Sequence, residues 1–178
     1  MTTPKNWPFW LIAVHWLTAL VVAGMFGVGI WMVDLTYYSE WYRTAPHWHK
    51  SVGILLAAVT LARLFMRLRT RRPARHGNKL EQWLSSVGHL AIYALLLVIF
   101  VSGYLISTAD GRSIDVFNWF SVPGAGELFS DQSDIAGEVH EYAAFGLIGL
   151  VVIHALAAFK HHFISRDATL SQMTGRHR

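Results

Sequence analysis

Four stretches of the chain are almost continuously apolar, over residues 9–33, 49–68, 87–108 and 139–164, with polar segments between them. A bilayer core takes about 20 mostly apolar residues per helix, so each stretch predicts a membrane-spanning helix. The first has Lys5 as the only charge ahead of it and is too long and too apolar for the core of a signal peptide. No small-residue cleavage site follows it, so it is expected to be retained. The segment 109–138 is long for a loop, and its apolar run 116–120 is expected to lie flat at the interface as a short helix. No internal repeat or low-complexity segment interrupts the pattern.

The polar segments differ in sign. Arg67, Arg69, Arg71, Arg72, Arg75 and Lys79 lie between the second and third stretches, and Arg166, Arg176 and Arg178 follow the fourth. Between the third and fourth lie Asp110, Asp115, Glu127, Asp131, Asp134 and Glu138, against Arg112 alone. Basic loops stay in the cytoplasm, which predicts cytoplasmic termini, a periplasmic 109–138 loop and a bacterial inner-membrane location. The expected fold is an all-α, up-down-up-down four-helix bundle forming one domain over 1–178.

Composition agrees with lipid as the solvent. Of 178 residues, 53% are apolar and 15% charged, where a soluble domain carries about a quarter charged residues. The absence of cysteine excludes disulfides, iron–sulfur ligation, covalent haem attachment and thiolate zinc sites. The net charge of +4 does not point to nucleic acid, because the cations cluster between apolar stretches and no soluble basic domain carries them. Trp7, Trp10, Trp16, Trp31, Trp41 and Trp48 read as interfacial anchors.

Histidine changes the picture. His15, His49, His89, His140 and His154 fall within or at the ends of the predicted spans, where ionisable groups are costly and usually functional. One such residue alone would suit an interhelical hydrogen bond; five in four helices point further. His140 and His154 are 14 residues apart, about 21 Å along one helix face at roughly 1.5 Å per residue. In an alternating bundle His49 is level with His140, and His15 with His154. Zinc takes three or four ligands, and each level offers two, with His89 in addition at one of them. Two neutral imidazoles complete a haem iron, and a large apolar macrocycle suits this interior. Two b-type haems are therefore expected. The same 14-residue step leads from His15 to Gly29, from His89 to Gly103 and from His49 to Arg63. The glycines suit either a porphyrin edge or close helix packing. Arg63 suits either a haem propionate or a snorkelling position.

These residues resemble the bacterial cytochrome b561 family, the short stand-alone di-haem cytochromes. The matching pieces are His15-Trp16-Leu17, His49-x-Ser51-x-Gly53-Ile54, Arg63-Leu64, Gly88-His89-Leu90-x-Ile92-Tyr93 and His140-Glu141. Ile148-Gly149-Leu150, His154-Ala155, His161-His162 and Asp167-x-Thr169-Leu170 with Met173 continue it, so the resemblance spans essentially the whole chain. It implies axial ligation by His15, His49, His140 and His154. It leaves His89 a haem-environment or quinone role and implies a quinone site near the cytoplasmic haem. His161, His89 and Lys79 are the quinone candidates, although interfacial contact with lipid headgroups accounts equally for His161 and His162.

The expected function is electron transfer between a periplasmic-side partner and ubiquinone or another membrane quinone. Some members of the family oxidise superoxide, and Arg43, Lys50 and Arg112 would form a local positive entrance in an otherwise acidic loop. Two other readings stand beside this one. The chain could relay electrons for a periplasmic oxidoreductase, a reading that purification as a lone monomer or homodimer with haem would disfavour. It could also be a histidine-lined metal or proton transporter, which would show no haem spectrum.

Overall fold

The computed structural model describes residues 6–175; Lys5, Arg176 and Arg178 lie outside the described residues. Four long helices carry the chain: α1 (Phe9–Val33), α2 (Thr44–Arg69), α3 (Lys79–Thr108) and α4 (Gln132–Phe163). Each is long and apolar enough to cross a membrane. Between α3 and α4 stands a hairpin of β1 (Ile114–Val116) and β2 (Phe120–Val122), and a single turn, α5 (Ser171–Thr174), follows α4. α1 packs along α2, α3 along α4, and α2 meets α3. Phe26 and Phe145, edge to face with centres 5.3 Å apart, join α1 to α4.

Three helices begin well before the apolar windows, at Thr44, Lys79 and Gln132 rather than near 49, 87 and 139. The windows mark what lipid demands, whereas the helix continues wherever its first turn is satisfied. The Asn78 side chain accepts from the Glu81 N–H at 2.9 Å, and Glu81 accepts from the Asn78 N–H at 2.8 Å, a reciprocal cap that starts α3 in polar surroundings. At 32 residues, α4 is about 48 Å long, well beyond the roughly 30 Å of a hydrocarbon core. Both histidine levels and the polar ends thus fit on one rod.

The run 116–120 is not the expected interfacial helix. It forms the hairpin turn, with Ile114 opposite Val122 and Val116 opposite Phe120. The local pattern has a period of two: Ile114 and Val116 are buried and Asp115 between them is exposed, an alternation that a helix cannot present to one surface. Phe117 takes a left-handed backbone, φ 49°. Ser51 on α2, fully buried, docks the hairpin. Its hydroxyl accepts from the Phe117 N–H at 2.9 Å and lies 3.2 Å from the Asp115 carbonyl and 2.9 Å from that of His47.

At the opposite end the chain turns back after α4. Gln172 donates to the Ala74 carbonyl at 3.1 Å, and the Trp16 indole donates to the Met173 carbonyl at 2.8 Å. Trp16 is thus a tie between α1 and the segment beyond α4 as well as an aromatic at the boundary. The basic loop and this segment close one end of the bundle, here called the basic end; the hairpin closes the other.

Gln132 fastens the loop ahead of α4. It accepts from the Leu128 N–H at 2.7 Å and donates to the Leu105 carbonyl at 3.0 Å, and it is 1% exposed. Truncation strands two buried backbone groups, so Gln132→Ala is expected to cost about 2 kcal/mol. Denaturant unfolding in detergent checks this.

Candidate functional site

The helix directions bring residues far apart in sequence to common levels. His49 lies in the second turn of α2 and His140 in the first third of α4; their ring centres are 6.3 Å apart. His15, two turns into α1, and His154, near the end of α4, have ring centres 6.4 Å apart. His89, on α3, joins this second level with its ring centre 5.3 Å from that of His154. Metal–imidazole bonds are about 2 Å and a ring nitrogen lies about 1 Å from its ring centre, so two imidazoles on one metal stand about 6 Å apart. Both pairs have that spacing.

Hydrogen bonds define the rings further. His140 donates its Nδ1–H to the Ile99 carbonyl at 3.0 Å, with the Ser102 hydroxyl 3.2 Å away. A carbonyl only accepts, so the lone pair is left on Nε2, and this is how metal-bound histidines are commonly held. His49 Nδ1 is buried without a partner. At the other level His89 donates its Nδ1–H to the Ser85 carbonyl at 2.6 Å. His15 is different: Arg63 donates to its Nδ1 at 2.9 Å, and a guanidinium cannot accept.

Arg63 and Arg67 lie 6.0 and 5.8 Å from the Tyr93 ring centre, and the buried Tyr93 hydroxyl has no partner. Among the described residues neither arginine meets a carboxylate. Two guanidiniums and an unpaired phenol in an apolar bundle make a strong anion seat.

The two glycines selected by the 14-residue step both lie at the hairpin-end pair. A Cβ at Gly29 would stand 3.5 Å from His49 Cε1, and one at Gly103 would stand 3.1 and 3.3 Å from His140 Cε1 and Nδ1. At the basic end, His161 Nδ1–H donates to Asp167 at 2.6 Å, and Lys160 pairs with Glu81. Lys79 is exposed at the start of α3; Lys160 is the lysine joined to this cluster. His162 Nδ1 is buried without a partner.

Sequence reasoning missed Glu81, Lys160 and Ser102, and it quoted Tyr93 and Asp167 only as matching residues, with no role for either. The Asn78–Glu81 capping pattern was a local signal for Glu81. Nothing local announces a bond between Lys160 and Glu81, 79 positions apart. Among the described residues no group of three His, Cys, Asp or Glu side chains is disposed to hold a metal ion. The three-histidine level is therefore no ordinary metal cage.

The family model for prokaryotic cytochrome b561 matches residues 6–176. Cytochrome b561 homolog 2 of Escherichia coli (strain K12) is 44% identical over 176 residues, covering 98% of this chain and 94% of the relative. The probable superoxide oxidase CybB of Yersinia pestis is 27% identical over 165 residues, covering 91% and 92%. Cytochrome b561 homolog 1 of the same E. coli strain is 26% identical over 168 residues, covering 93% and 94%.

Alanine at the two glycines separates helix propensity from close approach. Each substitution gains about 1 kcal/mol of helix propensity. At Gly29 the new methyl makes ordinary contact, so Gly29→Ala is expected to hold or raise stability. At Gly103 it presses on a ring tied to Ile99, so Gly103→Ala is expected to lower both stability and haem content. Thermal melts and haem absorbance per chain check the pair.

Proposed function

The chain belongs to the prokaryotic cytochrome b561 family, and on that premise we propose that it holds two b-type haems, one between His49 and His140 and one between His15 and His154. It is a membrane electron-transfer protein of that family. The finer reading is that it moves electrons between a donor at the hairpin end and a membrane quinone at the basic end, with the basic end in the cytoplasm. The observation that carries this reading is the pair of facing histidines at each of two levels, with ring centres 6.3 and 6.4 Å apart.

Bound haem supplies reversible one-electron chemistry at its iron. The residues present suit it. His140 keeps Nε2 free by giving its other nitrogen to Ile99, and Gly29 and Gly103 leave room against the rings of the same level. At the basic level Arg63, Arg67 and Tyr93 would take the two propionates, which answer the charge that these side chains otherwise bury alone. With Arg63 turned to an anionic partner, His15 Nδ1 would be free to carry the proton, leaving the lone pair on Nε2 for a metal. His89, already fixed by Ser85, would pack beside this haem. The apolar helix faces exclude water from both levels.

A histidine-lined metal transporter is disfavoured by the lack, among the described residues, of any three-ligand group, since a zinc-like ion needs three or four.

Superoxide is the first donor to assay, because a relative covering most of the chain carries that activity in its name. The three cations expected to attract it stand close to two carboxylates. Arg112 is paired with Asp110, Lys50 acts on that same carboxylate, and Arg43 shares a surface cleft with Glu40. Long-range steering of an anion is therefore weak at this end.

Pyridine haemochrome analysis of fully loaded protein is expected to give two haems per chain. His49→Ala and His140→Ala should remove one redox component, and His15→Ala and His154→Ala the other. A single haem, or loss grouped across the levels, contradicts the ligation. The rate of reduction by superoxide, followed by stopped flow, is expected to change less than about threefold between low and physiological ionic strength, where strong steering would give a steep fall.

A further inference from the structure

Of the histidines at the end of α4, His161 is the one bound to a carboxylate. Its Nδ1–H donates to Asp167 Oδ2 at 2.6 Å, and the two side chains are 14% and 17% exposed. The chain bends deliberately to make this bond. Arg166 takes a left-handed backbone, φ 52°, and the Asp167 N–H returns to the His161 carbonyl at 3.1 Å. The other Asp167 oxygen accepts from the Thr169 N–H at 2.9 Å. On the opposite side Gly77, φ 81°, allows the α2–α3 loop to approach: a Cβ there would stand 3.1 Å from His161 Cε1 and overlap the Glu81 carboxylate. Glu81 itself is taken by Lys160, so Asp167 is the carboxylate available to His161. Burial alone would raise the Asp167 carboxyl, but the hydrogen bonds from Thr169 and His161 outweigh it and hold it at about 2. It is an anion at every physiological pH.

Three segments thus fix one imidazole and commit one of its nitrogens. Nε2 has no bonded partner among the described residues. We propose that Asp167 is a positioning residue for quinone: through His161 it presents Nε2 to one oxygen of the quinone headgroup at the basic end. This rests on the quinone reading above. The pair suits both forms of such a ligand. A quinone oxygen accepts, and the ring when protonated meets it with Nε2–H while Nδ1–H stays on Asp167. A quinol hydroxyl donates, and the neutral ring meets it with the Nε2 lone pair. Asp167 touches the ring and not the ligand.

The test uses full-length, haem-loaded protein in detergent and a short-chain ubiquinone. Calorimetric binding and the concentration dependence of quinone-driven oxidation of the reduced protein are measured together. The variants are His161→Gln, Asp167→Ala, Asp167→Asn and the double variant His161→Gln/Asp167→Ala. His161→Gln and Asp167→Ala are each expected to weaken binding about tenfold, the scale of a lost charged hydrogen bond. The double variant should bind no more weakly than His161→Gln alone, because both changes remove one interaction. Asp167→Asn keeps the size of the side chain and one acceptor oxygen, so it cannot accept from both the ring and Thr169, and it removes the charge; it should weaken quinone binding severalfold. Unchanged binding in His161→Gln removes the quinone from this end, and the Asp167 role with it. Weakened binding in His161→Gln with additive loss in the double variant keeps the quinone site and overturns the Asp167 role alone. Binding by Asp167→Asn equal to that of the unsubstituted protein overturns that role as well, even where Asp167→Ala unfolds the segment.

Discussion

A polar ring nitrogen inside a lipid-solvated bundle has no water to turn to, and much of this structure answers that constraint. Unmet hydrogen-bonding groups in such surroundings cost several kcal/mol each. His140 and His89 meet it with carbonyls one helical turn away or on the neighbouring helix. His49 Nδ1 and the Tyr93 hydroxyl do not meet it at all. These two lie at the levels where histidines from different helices face each other; the buried Thr60 hydroxyl and His162 Nδ1 also lack partners among the described residues.

The two ends solve different problems. The bonds that fasten the hairpin end are mostly neutral: a buried serine, a buried glutamine and backbone pairs. The basic end is made of charged pairs and left-handed turns, with Glu81–Lys160 and His161–Asp167 side by side. The partly exposed Glu81–Lys160 pair contributes little to stability, while the more buried His161–Asp167 pair fixes the direction of one imidazole. The guanidiniums of Arg63 and Arg67 lie deeper at this end, where charge is expensive and an anionic partner is needed.

Much of this was legible in the sequence for physical reasons. Lipid imposes a length and a composition on each span, so four helices followed from the apolar windows. An α-helix has a fixed rise, so the step from His140 to His154 fixed two levels, and alternation of the helices indicated which histidines would share them. The glycines at 29 and 103 followed from the same arithmetic, which also placed them beside the histidines of the opposite level. What escaped was whatever lipid does not govern. Helix starts depend on caps such as Asn78, and the hairpin depends on a three-residue alternation that the apolar run 116–120 obscured. The contact of Asp167 with His161 depends on a reversal at Arg166, a non-glycine residue in a conformation that its side chain disfavours.

The fold-back after α4 also sets an order of assembly. Synthesis runs from the N-terminus, so α1 through α4 are made before Asp167, Gln172 and Met173. Until then Trp16, Ala74 and His161 lack their partners from this segment. The basic end therefore stays open while the hairpin end can already close, since Ser51, the hairpin and Gln132 are all made earlier.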